Sequence, residues 1–203
     1  MANADSTLDV FNWYILSPEN KLPKLEQPTT PVAASDNHRY DLYSRSVKEA
    51  IRYGERTYGI NLVWGDPEAG NNIRFVRKNA APSGPIKSDE LIAIHVKGGG
   101  FLKYQSRDWG INLVWAETPS FEWKAMLAEA GKPILTGTPV GLFNMVENDF
   151  MFYDPRTYGI NLKWLKDKGK YNDSWYKSLT TAVIDVAKNF TVLGLIDRGK
   201  QLL

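Results

Sequence analysis

The chain has 203 residues, of which 43% are hydrophobic and 24% charged, and its formal net charge is +2 at pH 7. This length and composition predict one domain with a hydrophobic core and exclude wholesale disorder. The near balance of charge argues against a dedicated nucleic-acid-binding protein, because such proteins carry a concentrated basic excess.

The residue content predicts a cytoplasmic location. Cysteine is absent, which excludes the disulfide-braced scaffolds of small secreted proteins. The first residues lack the basic and apolar regions of a signal peptide. No apolar run approaches the roughly 20 residues of a membrane-spanning helix, so we expect no membrane span.

The first 38 residues differ from the rest of the chain. Val10–Leu16 is apolar and aromatic, which predicts a strand. A proline-interrupted stretch follows it, and because proline cannot donate to a β-ladder, we expect this stretch to form a loop on the surface. Its prolines are Pro18, Pro23, Pro28 and Pro31.

One twelve-residue motif occurs three times along the remaining chain. Its pattern is Tyr-x-x-Arg-x-aromatic-Gly-Ile-Asn-Leu-x-Trp, and its copies begin 51 and 49 residues apart. Self-similarity at a nearly fixed period is the signature of a repeat architecture. The copies are Tyr53–Trp64, Tyr104–Trp115 and Tyr153–Trp164.

The sequence around the motif repeats more loosely. An apolar stretch and a turn precede each copy and a short aromatic segment follows it, so each unit is predicted to contain about four short strands. The aromatic segments are Ile73–Phe75, Phe121–Trp123 and Trp175–Tyr176. We predict a single domain, residues 1–203, with repeats at 39–89, 90–139 and 140–190 and a tail at 191–203.

The motif itself predicts a strand with one buried face. In the first copy Ile60, Leu62 and Trp64 alternate with Asn61 and Val63, which is the period of a half-buried strand. The same apolar positions recur in the other copies and are predicted to be core. A glycine at each strand entry indicates positive φ, a bulge or a close approach of backbones. These glycines are Gly59, Gly110 and Gly159.

The chain has three strand-rich units, and each contains a core strand that ends in Trp. In this it resembles the β-trefoil superfamily, in particular the ricin-B-like lectins and agglutinins. The resemblance covers roughly residues 39–190. Ricin-B-like repeats typically carry Gln-x-Trp, where this chain has Leu-x-Trp in all three copies, ending at Trp64, Trp115 and Trp164. The resemblance implies an all-β, pseudo-threefold domain and a sugar-binding function.

Three motif positions are candidates for ligand contact. A flat aromatic face with a polar handle suits a sugar ring, while Arg and Asn supply hydrogen bonds. Each position also has a structural alternative: an ion pair for Arg, a hydrogen bond to a turn for Asn, and partial burial for the aromatic residue. The nine candidate ligand-binding residues are Arg56, Tyr58, Asn61, Arg107, Trp109, Asn112, Arg156, Tyr158 and Asn161.

The sequence does not predict a catalytic, metal or cofactor site. His38 and His95 lie far apart in the repeat alignment and have no cysteine companions. Gly98–Gly100 precedes Phe101 rather than the Lys-Ser/Thr of a phosphate loop, so it is predicted to be a hairpin turn. There is no Gly-x-Ser-x-Gly nucleophile motif, and we expect a protein that is not an enzyme.

Two functional hypotheses follow. The first is a multivalent lectin-like protein of the defence type, with up to three equivalent sites and glycans or glycoproteins as partners, because repeated weak sites gain avidity. Nucleic acid is not an expected partner, and homo-oligomerisation is left open. The alternative is a Kunitz-like protease inhibitor that acts through an exposed loop, for which Leu22–Ala34 and Ala80–Pro85 are the candidate segments.

Overall fold

The computed structural model describes residues 11–18, 30–35, 37–67, 72–78, 84–108, 110–156 and 158–168. The described chain is all-β, as predicted: its 12 strands join one antiparallel sheet, accompanied by one short helix. The strand predicted within Val10–Leu16 and the three motif strands are confirmed. The elements are β1 (Trp13–Leu16), β2 (Asp41–Ser44), β3 (Glu49–Tyr53), β4 (Leu62–Gly65), β5 (Ile73–Arg77), β6 (Ile92–Val96), β7 (Gly100–Tyr104), β8 (Leu113–Ala116), β9 (Trp123–Met126), β10 (Pro139–Asn144), β11 (Asp149–Tyr153), β12 (Leu162–Trp164) and α1 (Leu165–Lys168).

Consecutive strands pair in three runs of four. The runs are β1–β2–β3–β4, β5–β6–β7–β8 and β9–β10–β11–β12, and every pair within them is antiparallel. The hairpin turn at the middle of each run contains a residue with positive φ: Lys48 (60°), Gly98 (86°) and Asn148 (57°). The hairpin turn predicted at Gly98–Gly100 is therefore confirmed, because left-handed residues close such turns.

The three runs are also joined to one another. β1 pairs with β10, and β6 pairs with β9. The residue before β2 forms a backbone bridge to the start of β5, with hydrogen bonds of 2.8 and 2.7 Å in the two directions. Each run therefore contacts both of the others. The joining pairs include Trp13↔Val140, Ile92↔Trp123 and Tyr40↔Ile73.

The alternating motif residues form the core, as predicted. Ile60 and Leu62 and their counterparts in the other two copies are all 0–2% exposed. Of the three motif tryptophans, Trp164 is 1% exposed, whereas Trp64 and Trp115 are partly buried against the same cluster. This burial follows from the period of two of a strand. It turns the motif Ile, Leu and Trp towards the core and leaves the residues between them, such as Asn61 and Val63, half-buried.

The end of the proline-rich segment lies in the core. Val32 is fully buried, and its N–H donates to the carbonyl oxygen of Ile134 at 2.9 Å. Ile134 donates to Ile86 at 2.9 Å and Ile86 to Val32 at 2.8 Å, which completes a ring of three hydrogen bonds. The surface-loop expectation agrees with the exposure of Pro18, Thr30 and Pro31. It is wrong at Val32, because the residue after each proline supplies the donor that proline lacks. The three prolines are Pro31, Pro85 and Pro133.

Residues 169–203 lie outside the described part of the chain. The aromatic segment expected at Trp175–Tyr176 and the predicted tail at 191–203 fall within that range. Within the described ranges, no helix has both the length and the apolar character needed to cross a membrane.

Candidate functional site

The three motif glycines meet at one point, which we call the glycine junction (Gly59, Gly110 and Gly159). Their φ angles are 83°, 80° and 82°. A Cβ atom on Gly110 would lie 3.0 Å from the Cα atom of Gly59, and one on Gly159 would lie 3.0 Å from the Cα atom of Gly110. Two of the three predicted reasons for glycine, positive φ and close backbone approach, are therefore confirmed.

The motif arginines join the three copies in cyclic order. The Nη2 atom of Arg156 donates to the carbonyl oxygen of Gly110 at 2.7 Å, and that of Arg107 donates to Gly59 at 3.2 Å. Arg56 completes the cycle by donating to Gly159. Each guanidinium therefore contacts the glycine of the preceding copy and stabilises the glycine junction.

Each arginine also closes its own loop, with help from the motif asparagine. The Asn112 Oδ1 atom accepts a hydrogen bond from the Arg107 N–H at 3.1 Å, and the same bond occurs in the other copies at 3.0–3.1 Å. The Nη1 atom of each arginine donates to the carbonyl of the motif leucine, for example Arg107 to Leu113 at 3.2 Å. Asn and Arg thus fold the six-residue loop that leads into the core strand. Their role as ligand contacts stays a prediction.

The first Tyr of the motif packs between copies. Tyr53 contacts Trp115, Tyr104 contacts Trp164 and Tyr153 contacts Trp64, with ring centroids 5.8–6.1 Å apart. These contacts also run in cyclic order, and their direction is opposite to that of the arginine bonds. The first Tyr of the motif is therefore a packing residue.

The second aromatic position of the motif is more exposed than the first, at which Tyr53 is 36% exposed and the other two tyrosines are half-buried. Tyr58 is 52% exposed and Tyr158 is 47% exposed, and each directly precedes a residue of the glycine junction. Their ring centroids are 5.4 Å apart in an edge-to-face arrangement. The third candidate at this position, Trp109, lies outside the described residues.

Two open depressions flank these tyrosines. One, of about 540 Å³, lies between the first and third motif copies and is lined by Glu55, Arg156, Tyr158 and Asn161, among others. The other, of about 520 Å³, lies between the first and second copies and is lined by Gln105, Arg107, Asp108 and Val114. Both are also lined by Thr57 and Tyr58. We call Tyr58, Tyr158 and these two depressions the tyrosine surface.

Several polar residues of the tyrosine surface were not among the sequence-based candidates. Glu55, Thr57, Gln105 and Asp108 bring carboxylate, hydroxyl and amide groups to it. Thr57 has a sequence signal, since the Arg-Thr-Tyr triplet recurs in the third copy. The other three differ between copies and have no such signal.

The arginine network leads to a prediction about stability. Replacing Arg156 with glutamine removes two charge-assisted hydrogen bonds to carbonyls, and we expect the free energy of unfolding to fall by about 2–3 kcal/mol. Arg107→Gln is the matched comparison: Arg107 is exposed and its Gly59 bond is longer (3.2 Å), so we expect a loss of about 1 kcal/mol. Urea denaturation of both variants provides the measurement. If Arg156→Gln were as stable as the wild type, the network would not hold the copies together.

Asp41 and Asp149 are two of the three buried carboxyl groups that lie outside the tyrosine surface; the third is Glu122. Burial raises the pKa of Asp41 and that of Asp149 to about 6 in each case. Asp149 accepts hydrogen bonds from the backbone N–H groups of Phe150 (2.8 Å) and Lys166 (2.7 Å), which ties the start of β11 to α1. Among the described residues, no group of His, Asp or Glu side chains is arranged to hold a metal ion.

The described parts of the two candidate inhibitor segments differ in burial. In the first, Val32 and Ala34 are 0% and 2% exposed, whereas Thr30 and Pro31 are exposed; in the second, Pro85 is exposed and is followed by the fully buried Ile86. Residues 22–29 and 80–83 of these segments lie outside the described part.

No known family model, curated protein or solved structure matches this chain. The functional assignment therefore depends on the chain's own residues.

Proposed function

We propose that the protein is a non-enzymatic, lectin-like carbohydrate-binding protein whose ligand contacts the tyrosine surface. The observation that carries this proposal is the exposure of Tyr58 and Tyr158, which are 52% and 47% exposed at the same motif position, two residues from fully buried isoleucines. When a ligand covers an exposed aromatic ring, the apolar surface of the ring is removed from water, which favours binding. Such repeated exposure is best explained by ligand binding.

The chemistry around the tyrosines suits a sugar. The C–H face of a pyranose packs on an aromatic ring, and its hydroxyl groups need both donors and acceptors. Donors are available from Arg107 and Thr57, and acceptors from Glu55 and Asp108, all of which line the depressions that Tyr58 shares. The mixed charge of these residues favours a neutral polyhydroxylated ligand over a strongly charged one.

The number of ligands per chain follows from how the depressions overlap. Because Tyr58 and Thr57 line both depressions, we propose that a long glycan bound at one covers the other, whereas two small sugars bind one in each depression. The threefold motif allows a third equivalent position at Trp109. We therefore propose up to three sites for a monosaccharide and fewer for an oligosaccharide.

We further propose that the fold is a β-trefoil. The joining pairs support a closed ring of β1, β2, β5, β6, β9 and β10, to which the hairpins β3–β4, β7–β8 and β11–β12 are attached. Two cyclic sets of hydrogen bonds, at the glycine junction and at Val32, support the same symmetry. The pairing favours repeat units at 13–65, 73–116 and 123–164, in which β1 opens the first unit instead of preceding it.

The test begins with a glycan array, followed by calorimetric titration of each hit with wild-type and variant protein. We expect Tyr58→Ala to weaken binding about tenfold, since a ring contact contributes roughly 0.5–1.5 kcal/mol beyond the area that it buries. Tyr58→Phe is the matched control, because it keeps the ring and is expected to retain most of the affinity.

The double variant Tyr58→Ala/Tyr158→Ala separates the proposed site from any other. We expect it to lose detectable binding while its urea denaturation midpoint stays near the wild-type value, because both side chains are half-exposed. Saturable glycan binding that survives in this variant would place the ligand elsewhere. An array with no hit would remove the lectin proposal itself.

A further inference from the structure

The two depressions of the tyrosine surface have the same construction, because each is lined by a motif arginine and by the glycine that this arginine contacts. The depression between the first and second copies is lined by Arg107 and Gly59, which are bonded at 3.2 Å. The depression between the first and third copies is likewise lined by the bonded arginine of the first copy and glycine of the third. The remaining bond of the cycle joins Arg156 to Gly110 at 2.7 Å. We call the surface around this bond the third position.

Each copy also has a pair of neighbouring side chains, which we call the flanking pair: the residue after the first motif Tyr and the residue before the motif Trp. In the second copy the flanking pair is Gln105 and Val114, and both line the depression between the first and second copies. In the first copy it is Gly54 and Val63, and a Cβ atom on Gly54 would lie 2.5 Å from the Val63 Cγ2 atom. The flanking pairs of these two copies are therefore uncharged.

The flanking pair of the third copy is charged. Lys163 Nζ lies 2.6 Å from Asp154 Oδ2, and the two side chains are 18% and 25% exposed. Lys163 is directly opposite Phe152 in its strand pair, whereas the valine at this motif position is opposite Arg52 in the first copy and Lys103 in the second. Each cross-strand pair therefore has one cation. Only in the third copy does the motif strand carry it, and there it forms an ion pair with Asp154.

We propose that the Asp154–Lys163 ion pair makes the third position a weak site for neutral sugars, so that each chain binds two monosaccharides more tightly than a third. This inference rests on the proposed carbohydrate function and deepens it. A sugar that covers Gln105 and Val114 removes apolar surface from water and gains an amide donor and acceptor. A sugar that covers Asp154 and Lys163 instead removes water from two charges that already bind each other, and that desolvation is costly.

The measurement follows backbone amide signals by NMR while galactose, mannose or N-acetylglucosamine is added to the wild-type protein. Each position is followed at a residue of its own. Gln105 lines only the depression between the first and second copies, and Glu55 lines only the one between the first and third. Asp154 reports on the third position. We expect the dissociation constant measured at Asp154 to be at least tenfold higher than those measured at Gln105 and Glu55.

Exchanging the flanking pairs tests whether they cause this difference. The double variant Asp154→Gln/Lys163→Val gives the third copy the pair of the second, and we expect it to tighten binding at the third position at least tenfold. Gln105→Asp/Val114→Lys is the reciprocal exchange, and we expect it to weaken binding between the first and second copies at least tenfold. Glu55 is the internal control, since its dissociation constant is expected to stay the same in both variants. The amide spectrum also shows whether each variant is folded.

The outcomes distinguish this inference from the proposed function. Equal dissociation constants at all three positions of the wild-type protein overturn the role of the ion pair and leave the carbohydrate function in place. The same conclusion follows if both exchanges leave the affinities unchanged. If no amide signal shifts with any of the three sugars or with any hit of the glycan array, the carbohydrate function itself is wrong, and this inference is wrong with it.

Discussion

Replacing Gly110 with alanine is expected to lower the free energy of unfolding by about 3 kcal/mol or more. Part of the loss is conformational: at a φ of 80° an L-residue with a Cβ atom costs roughly 1–2 kcal/mol. The rest is steric, because the new Cβ atom would lie 3.0 Å from the Cα atom of Gly59 and 3.9 Å from that of Gly159. Neither neighbour is a side chain that can rotate away, and overpacking of this kind typically costs about 1–3 kcal/mol.

Gly131→Ala is the control that separates the two contributions. Gly131 has a similar φ of 74°, but nothing lies within 4 Å of the position where its Cβ atom would be. It therefore pays the conformational cost alone, about 1–2 kcal/mol. Urea denaturation of both variants gives the comparison. Equal losses would mean that the glycine junction is looser than its backbone distances indicate.

The junction also explains why the motif repeats so closely. The side chain of each motif arginine reaches a glycine carbonyl in another copy. Each glycine of the junction must also leave room for the backbones of the other two glycines. A change in one copy therefore disturbs the remaining two. Such a constraint preserves the motif without any ligand, so the repeated Arg and Asn are not by themselves a sign of binding. The exposed tyrosines are a better sign, because no packing requirement keeps them at the surface.

The motif strands were predictable because their information is local. The alternation of Ile60, Leu62 and Trp64 with polar or less apolar residues predicts which face of the strand is buried, and the same alternation recurs in the other two copies. Glycine before each strand indicated its backbone geometry equally well. The contact partners were not predictable, since the Gly110 carbonyl is satisfied by an arginine 46 residues away in sequence. No local sequence pattern predicts the spatial order of the three copies, and that order decides which copy each arginine contacts.

The ring at Val32 was missed for a different reason. Prolines usually indicate loops, and a proline-rich stretch was interpreted as surface. A signal was present nonetheless: Pro-Val at 31–32, Pro-Ile at 85–86 and Pro-Ile at 133–134 recur at nearly the motif period. A β-branched residue after proline, repeated three times, is a strand signal that outweighs a single proline.

Truncating the tryptophan that ends the third motif copy is expected to destabilise the protein strongly. Trp164 is 1% exposed, stacks on Trp123 at 6.1 Å and meets Tyr104 edge-to-face at 5.9 Å. Trp164→Ala removes these contacts and leaves a large cavity, for which we expect a loss of about 3–5 kcal/mol in urea denaturation.

Two further variants test whether burial causes that loss. Trp115 holds the same motif position but is only partly buried, so Trp115→Ala is expected to cost about half as much. Trp164→Phe keeps an aromatic ring and deletes a buried indole N–H that has no hydrogen-bond partner among the described residues, so its cost is expected to stay near 1 kcal/mol. If Trp115→Ala and Trp164→Ala destabilise equally, the three copies share one energetic role despite their different exposure. If Trp164→Phe instead costs as much as Trp164→Ala, the indole N–H has a partner after all, and the core there is more polar than its packing indicates.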